Sequence, residues 1–245
     1  MKKIVLFILL LCCYNVSAQT ILSEFPEGQS PYKNGEVEMF AEMQHFLVEN
    51  NLSPCKKNEY VWITLKIDEN GQPFLIKRKS NEKNIEKNKC AFELAGKALG
   101  SLKNWQAAEV KGKKVAAYYE FLFIPNDFFE NFEMGYVSTN SFSQPQFPGG
   151  KNAFDEKLSK YLRGYLDWST INTDIKVTIN FDIDTKGKLS NVEIQSKIPN
   201  SEYLHEDIKF SVMQLKEKWI PAKIKGNPIV FTYKFEYTFS VFHID

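Results

Sequence analysis

Trp219-Ile220-Pro221-Ala222-Lys223-Ile224-Lys225-Gly226-Asn227 restates, with substitutions, Trp105-Gln106-Ala107-Ala108-Glu109-Val110-Lys111-Gly112-Lys113. The likeness runs upstream. Val61 to Asp68, closed by Gly71, parallels Val177 to Asp184, closed by Gly187, and downstream Val115, Tyr119, Phe121 and Phe123 are echoed by Ile229, Tyr233, Phe235 and Tyr237. An internal repeat on this scale sets the architecture: each half reads as one module of about a hundred residues, an ordinary domain size.

Within the second half the apolar period changes along the chain. Phe154, Leu158, Tyr161 and Leu162 recur at helical spacing after Gly149-Gly150. Ile175, Val177, Ile179, Phe181 and Ile183 then alternate with polar residues, as in a strand with one wet face. Asp184 to Gly187 supplies turn chemistry and Leu189 to Ile194 returns as a hairpin partner. A second helical stripe, Leu204, Ile208, Val212, Leu215 and Trp219, must have ended by Pro221. A long strand closes the half, with Ile229, Phe231, Tyr233, Phe235, Tyr237, Phe239 and Val241 on one face and Thr232, Lys234, Glu236, Thr238 and Ser240 on the other.

The first half repeats this order: Phe40, Met43, Phe46 and Leu47, a hairpin around Asn70-Gly71, a stripe of Leu94, Ala98, Leu102 and Trp105, and Val115 to Ile124. The expected class is therefore α+β: two tandem α-β-β-α-β modules, each a three-stranded antiparallel sheet packed by helices. If each sheet is wholly antiparallel its order is second, first, third, which leaves the closing strand at an edge. Trp105 and Trp219, with Pro221 and Gly226, are expected to be structural anchors.

Ahead of the modules, Lys2 and Lys3, an apolar run from Ile4 to Leu11, and Val16-Ser17-Ala18 before Gln19 read as a cleavable secretory signal over residues 1–18. Its apolar run is short for a span of about twenty residues, and later apolar stretches are interrupted by polar ones, so no membrane span is expected after cleavage. Leu9, Leu10 and Leu11 before Cys12 argue against lipidation there. The net charge of +1 argues against a dedicated nucleic-acid binder.

Only Cys55 and Cys90 remain after signal removal. In an exported protein they are candidates for a disulfide. Cys55 precedes the first strand and Cys90 lies at the front of the helix after the hairpin, two places the hairpin brings together. The alternative makes Cys90 a buried residue equivalent to Leu204.

Signatures of catalysis are missing. His45, His205 and His243 are scattered, with no HExxH, GxSxG, phosphate loop or Cys-His-Asn pattern, so neither enzyme activity nor a cofactor is expected. Asp182, Asp184, Gly187 and Glu193 fall at positions of a calcium loop, but Lys186 stands at its fifth position and the flanks read as strands. A hairpin turn is the expectation, and no metal site.

Gln146-Phe147-Pro148-Gly149-Gly150, the strand ending in Asp184 and Gly187, and Lys218-Trp219-Ile220-Pro221-Ala222 with Gly226 and Pro228 resemble the C-terminal domain of TonB, the periplasmic part of the energy transducer that serves outer-membrane receptors. The resemblance spans about a hundred residues and is clearer in the second copy; the first, with Gln106-Ala107 in place of Ile220-Pro221, is diverged. Together with the internal repeat, it gives a diverged domain at 30–125 and a clearer one at 144–245; the linker between them, 126–143, carries Phe128, Phe129, Phe132, Tyr136 and Phe142, too aromatic for a free linker, and is expected to lie against one or both modules.

It also implies a periplasmic protein-interaction module, linked to TonB-dependent transport across the outer membrane. Such domains receive a short receptor segment beside their sheet. The expected binding edge is Ile229, Phe231, Thr232, Tyr233, Lys234, Phe235, Glu236, Tyr237 and Thr238, and the expected partner a protein of the cell envelope, such as a TonB-dependent receptor or a TonB-system component. A transducer of this family carries an uncleaved anchor and a proline-rich spacer, and the chain shows neither, so stand-alone energy transduction is not expected. The alternative is a structural protein that binds the envelope or its peptidoglycan.

Overall fold

The structure, a computed structural model, describes residues 21–240 apart from 79, 80, 131, 169, 170, 172, 197, 199 and 200. The signal segment, Cys12, Cys13, Val241 and His243 lie outside the described residues. The chain mixes helix with small antiparallel sheets and divides into two compact units, with the boundary between Ser138 and Thr139.

Unit 1 contains α1 (Glu36–Glu49), β1 (Val61–Ile67), β2 (Pro73–Ile76), α2 (Glu82–Lys87), α3 (Lys89–Ser101), β3 (Ala108–Val110), β4 (Lys113–Val115), β5 (Ala117–Phe123) and α4 (Asp127–Glu130). Its main sheet runs β2-β1-β5, all antiparallel. Met39, Phe40, Met43 and Leu47 of α1 and Ala91, Leu94, Ala95 and Ala98 of α3 are buried against Val61, Ile63, Leu65 and Ile67 of β1.

Unit 2 contains β6 (Phe142–Ser143), α5 (Gly150–Tyr165), β7 (Ile175–Ile183), β8 (Leu189–Gln195), α6 (Glu202–Met213), β9 (Lys223–Ile224), β10 (Asn227–Pro228) and β11 (Phe231–Phe239). Its main sheet runs β11-β7-β8, again antiparallel. β7 buries Ile175, Val177, Ile179, Phe181 and Ile183 in strict alternation, as period 2 requires.

Both hairpin turns are held by one aspartate. The Asp68 Oδ1 accepts the N–H groups of Asn70 and Gln72, and the Asp184 Oδ1 accepts those of Lys186 and Lys188. Such side-chain-to-backbone bonds are why Asp favours turns. The small hairpins β3-β4 and β9-β10 turn on Lys111-Gly112 and Lys225-Gly226, all four at positive φ, the backbone that two-residue hairpin loops demand.

The two tryptophans depart from the helical stripes. α3 stops at Ser101 and α6 at Met213, so Trp105 and Trp219 lie beyond them in extended chain. Their backbone neighbourhoods are committed elsewhere: Lys33 donates to the Asn104 carbonyl, Gln106 to the Pro31 carbonyl, Trp219 to the Gly187 carbonyl, and Ile220 exchanges bonds with Gln146. Backbone groups paired across the chain cannot also close helical turns. Each indole nonetheless packs inward. Trp219, 3% exposed, meets Phe147, Phe154 and Phe181 at 5.2, 5.4 and 5.5 Å, and the half-buried Trp105 meets Tyr32 edge-on at 5.1 Å. Burial beside Glu42, whose carboxylate accepts the Tyr32 hydroxyl at 2.5 Å, pushes the Tyr32 phenol up to about 12.

The stretch expected to be a linker is divided between the units. Phe128 is fully buried in unit 1, stacked among Phe40, Phe123, Phe132 and Tyr136, while Phe142 and Ser143 pair with β9 in unit 2. Unit 1 has a side chain where unit 2 has β6. The Gln29 amide donates to the Glu109 carbonyl at 2.7 Å and accepts its N–H at 2.8 Å, as a strand would.

The sulfurs of Cys55 and Cys90 are bonded, with Cα atoms 5.8 Å apart and a separation of 35 positions in sequence. Cys90 opens α3, and Cys55 sits at the end of the sheet from which β1 starts.

Candidate functional site

β11 pairs with β7 along all nine of its residues and, among the described residues, with no other strand. The expected edge began at Ile229, but the strand begins at Phe231. Ile229 is buried and gives its N–H to the Ala222 carbonyl at 2.8 Å, which ties it to the β9-β10 hairpin instead.

The side chains of β11 divide by parity. Phe231, Tyr233, Phe235 and Tyr237 are half-buried and Phe239 is buried. Phe235 and Tyr233 lie 5.2 and 6.1 Å from the ring of Phe154 on α5, and the Tyr237 hydroxyl lies 3.3 Å from Ser159 Oγ on the same helix. Thr232, Lys234, Glu236 and Thr238 face solvent. On that wet face Thr232 donates to Asp182 at 2.6 Å and Lys176 pairs with Glu236 at 2.6 Å, holding the Glu236 carboxyl below its ordinary value. Exposed pairs of this kind add little stability, and here they bind β11 to β7 and leave the outer edge alone.

Unit 1 reveals which backbone groups point outward at such an edge. Leu22 forms a parallel bridge with Ala117: its N–H donates to the Ala116 carbonyl and its carbonyl accepts the Tyr118 N–H. Ala116 and Tyr118 therefore face away from β1. Ala117 pairs with Ile67 as Phe231 pairs with Ile183, one residue from each turn aspartate. The same register turns the N–H groups of Thr232, Lys234, Glu236 and Thr238 outward from β11. The start of the unit 1 edge is occupied by the chain itself, whereas no backbone bond to the outer side of β11 occurs among the described residues.

The remaining candidates have structural roles. Gly226 completes the β9-β10 turn, and Pro221 follows the Ile220 bridge to Gln146. Asp184 is engaged by its own turn, and the backbone N–H of Lys188, then that of Lys186, draws its carboxyl below the usual range. Asp182 accepts from both Asn191 and Thr232.

His205 has partners that its place in the sequence does not suggest. Its Nε2 lies 2.8 Å from Ser196 Oγ and 3.0 Å from Ser201 Oγ. Ser201 precedes α6 and also donates to the Ile198 carbonyl, so the group ties the loop after β8 to the start of that helix. A serine nucleophile would need the histidine oriented by a third group and an oxyanion donor, and no such pair of groups is seen with it among the described residues. His45 is exposed beside Glu49 on α1. No helix among the described residues is long and apolar enough to cross a membrane.

Comparison with known protein families, curated proteins and solved structures finds no match to the chain.

Proposed function

We propose that the two units are copies of a TonB C-terminal-like module, and that the protein is a periplasmic protein-interaction component of the cell envelope. In this reading unit 2 captures an extended peptide along β11. The partner belongs to TonB-dependent transport across the outer membrane, as a receptor or another component of that system, and the protein acts by binding, without catalysis.

The carrying observation is the difference between two like edges: β5 receives Leu22, and among the described residues β11 has a strand partner on one side only. Strand addition draws affinity from backbone hydrogen bonds and selectivity from alternate side chains, and β11 offers nine residues of alternating character. Support for two copies comes from the matched strand orders, the aspartate turns and the paired Trp contacts.

A photo-crosslinking residue placed at Lys234 or Thr238 in the native envelope, with Glu120 of β5 as control, tests the reading. The expected result is an adduct with one envelope protein from β11 positions and none from Glu120. Equal labelling from β5 and β11, or retention of the protein on purified sacculi in place of any adduct, would favour the peptidoglycan-binding alternative.

A further inference from the structure

The end of the β11 edge is chemically unlike the rest of it. Arg163, in the last turn of α5, stands beside a depression of about 470 Å³ lined also by Trp168, Tyr237 and Phe239. The apolar part is fixed in place: Trp168 meets Phe239 at 6.0 Å, Phe239 meets Tyr237 at 4.7 Å, and the Tyr237 hydroxyl is held by Ser159. The guanidinium is exposed and makes no ion pair among the described residues. It presents a planar set of donors matched to a carboxylate, at a depression that aromatic side chains also line.

We propose that this depression is a carboxylate subsite: Arg163 receives an Asp or Glu side chain, or a terminal carboxylate, of the peptide added along β11, while Trp168 and Tyr237 take an adjoining apolar side chain. The proposal rests on the strand-capture reading and specifies its ligand. Leu22 also supplies an orientation, because it lies parallel to β5 at the position that corresponds to Phe231. A guest in the same direction reaches Tyr237 about six residues later, at a strand rise of roughly 3.3 Å per residue. Its acidic group therefore follows the strand-forming segment and does not precede it. Charge complementarity at a rim also excludes wrong partners, since a basic residue at that place would face Arg163 unpaired.

The probe is a library of random heptapeptides made both with free and with amidated C-termini, selected in parallel on the wild type, Arg163→Gln and Lys234→Pro. The wild type should enrich alternating β-formers ending in Asp, Glu or a carboxyl terminus. Arg163→Gln should keep the β-formers and lose the acidic end, and the best wild-type peptide should bind it about tenfold more weakly while its Gln-ended, C-terminally amidated analogue is unaffected. Arg163 is exposed, so an unchanged melting temperature should confirm that the fold is kept. Identical selections on wild type and Arg163→Gln would overturn the subsite and leave strand capture standing. Undiminished selection on Lys234→Pro, or no enrichment on the wild type, would overturn both. A dimer of the wild type that Lys234→Pro dissolves would make the occupant a second copy of the chain and also overturn the subsite.

Discussion

Gly187 lies directly against the backbone of Trp219: the Trp219 N–H donates to the Gly187 carbonyl at 2.9 Å, and a β-carbon on Gly187 would come within 1.9 Å of the Trp219 carbonyl oxygen. The hairpin turn and the tryptophan segment are thus one unit of packing, and only a residue without a side chain fits between them. Gly71 stands in the same relation to Trp105, less tightly, with a nearest approach of 3.0 Å.

Substitution by alanine should rank accordingly. Gly71→Ala should cost about 1–2 kcal/mol, chiefly from its left-handed backbone. Gly187→Ala adds a collision with backbone that cannot rotate away, for a total on the order of 3 kcal/mol or more. Urea denaturation followed by tryptophan fluorescence measures both, and equal losses would contradict the packing argument.

Trp219→Ala should lose on the order of 3–5 kcal/mol, the usual cost of emptying a large aromatic site. Its indole N–H has no hydrogen-bond partner among the described residues, so Trp219→Phe should be much milder. An unchanged melting temperature for the alanine variant, with loss of partner binding, would assign Trp219 to the interface instead of the core.

Thiol titration of the denatured, non-reduced mature protein should find neither Cys55 nor Cys90 free. Replacing both with serine should cost about 3–4 kcal/mol by the chain-entropy estimate, with the loss confined to unit 1. Two reactive thiols per chain would contradict the bond.

The Asp184 carboxyl should titrate below the ordinary carboxylate value, because the ionised form accepts the Lys188 and Lys186 N–H groups. A depressed native pKa stabilises the fold above the unfolded pKa of about 3.9, and the contribution is lost as pH falls through the lower native value. NMR titration of the side chain reads this directly. Asp184→Asn should remove that part of the acid sensitivity.

The alternation of β7 and the aspartate turns were legible in the sequence, since both are local patterns. Disulfide pairing was legible because a hairpin fixes which ends are neighbours. Placement of Trp105 and Trp219 on helices failed because the stripe continues through Leu215 to Trp219, while the bond that ends its usefulness comes from Gly187, far back in the chain. Phe128 could be recognised as too apolar for a linker but not assigned to a core. Leu22 beside Ala117 and the Gln29 amide beside Glu109 carried no periodic signal at all. For the same reason the protected start of the β5 edge, and Arg163 at the end of the β11 edge, emerged only in three dimensions.

Residue-resolved amide exchange along β11 in the protein without a partner tests the open edge most directly. Tyr233, Phe235 and Tyr237, bonded to β7, should be protected, whereas Thr232, Lys234, Glu236 and Thr238 should exchange rapidly, with Tyr118 of β5 protected by Leu22 as the internal control. Uniform protection of all seven β11 amides would mean that the edge is already occupied and would contradict capture of a partner there.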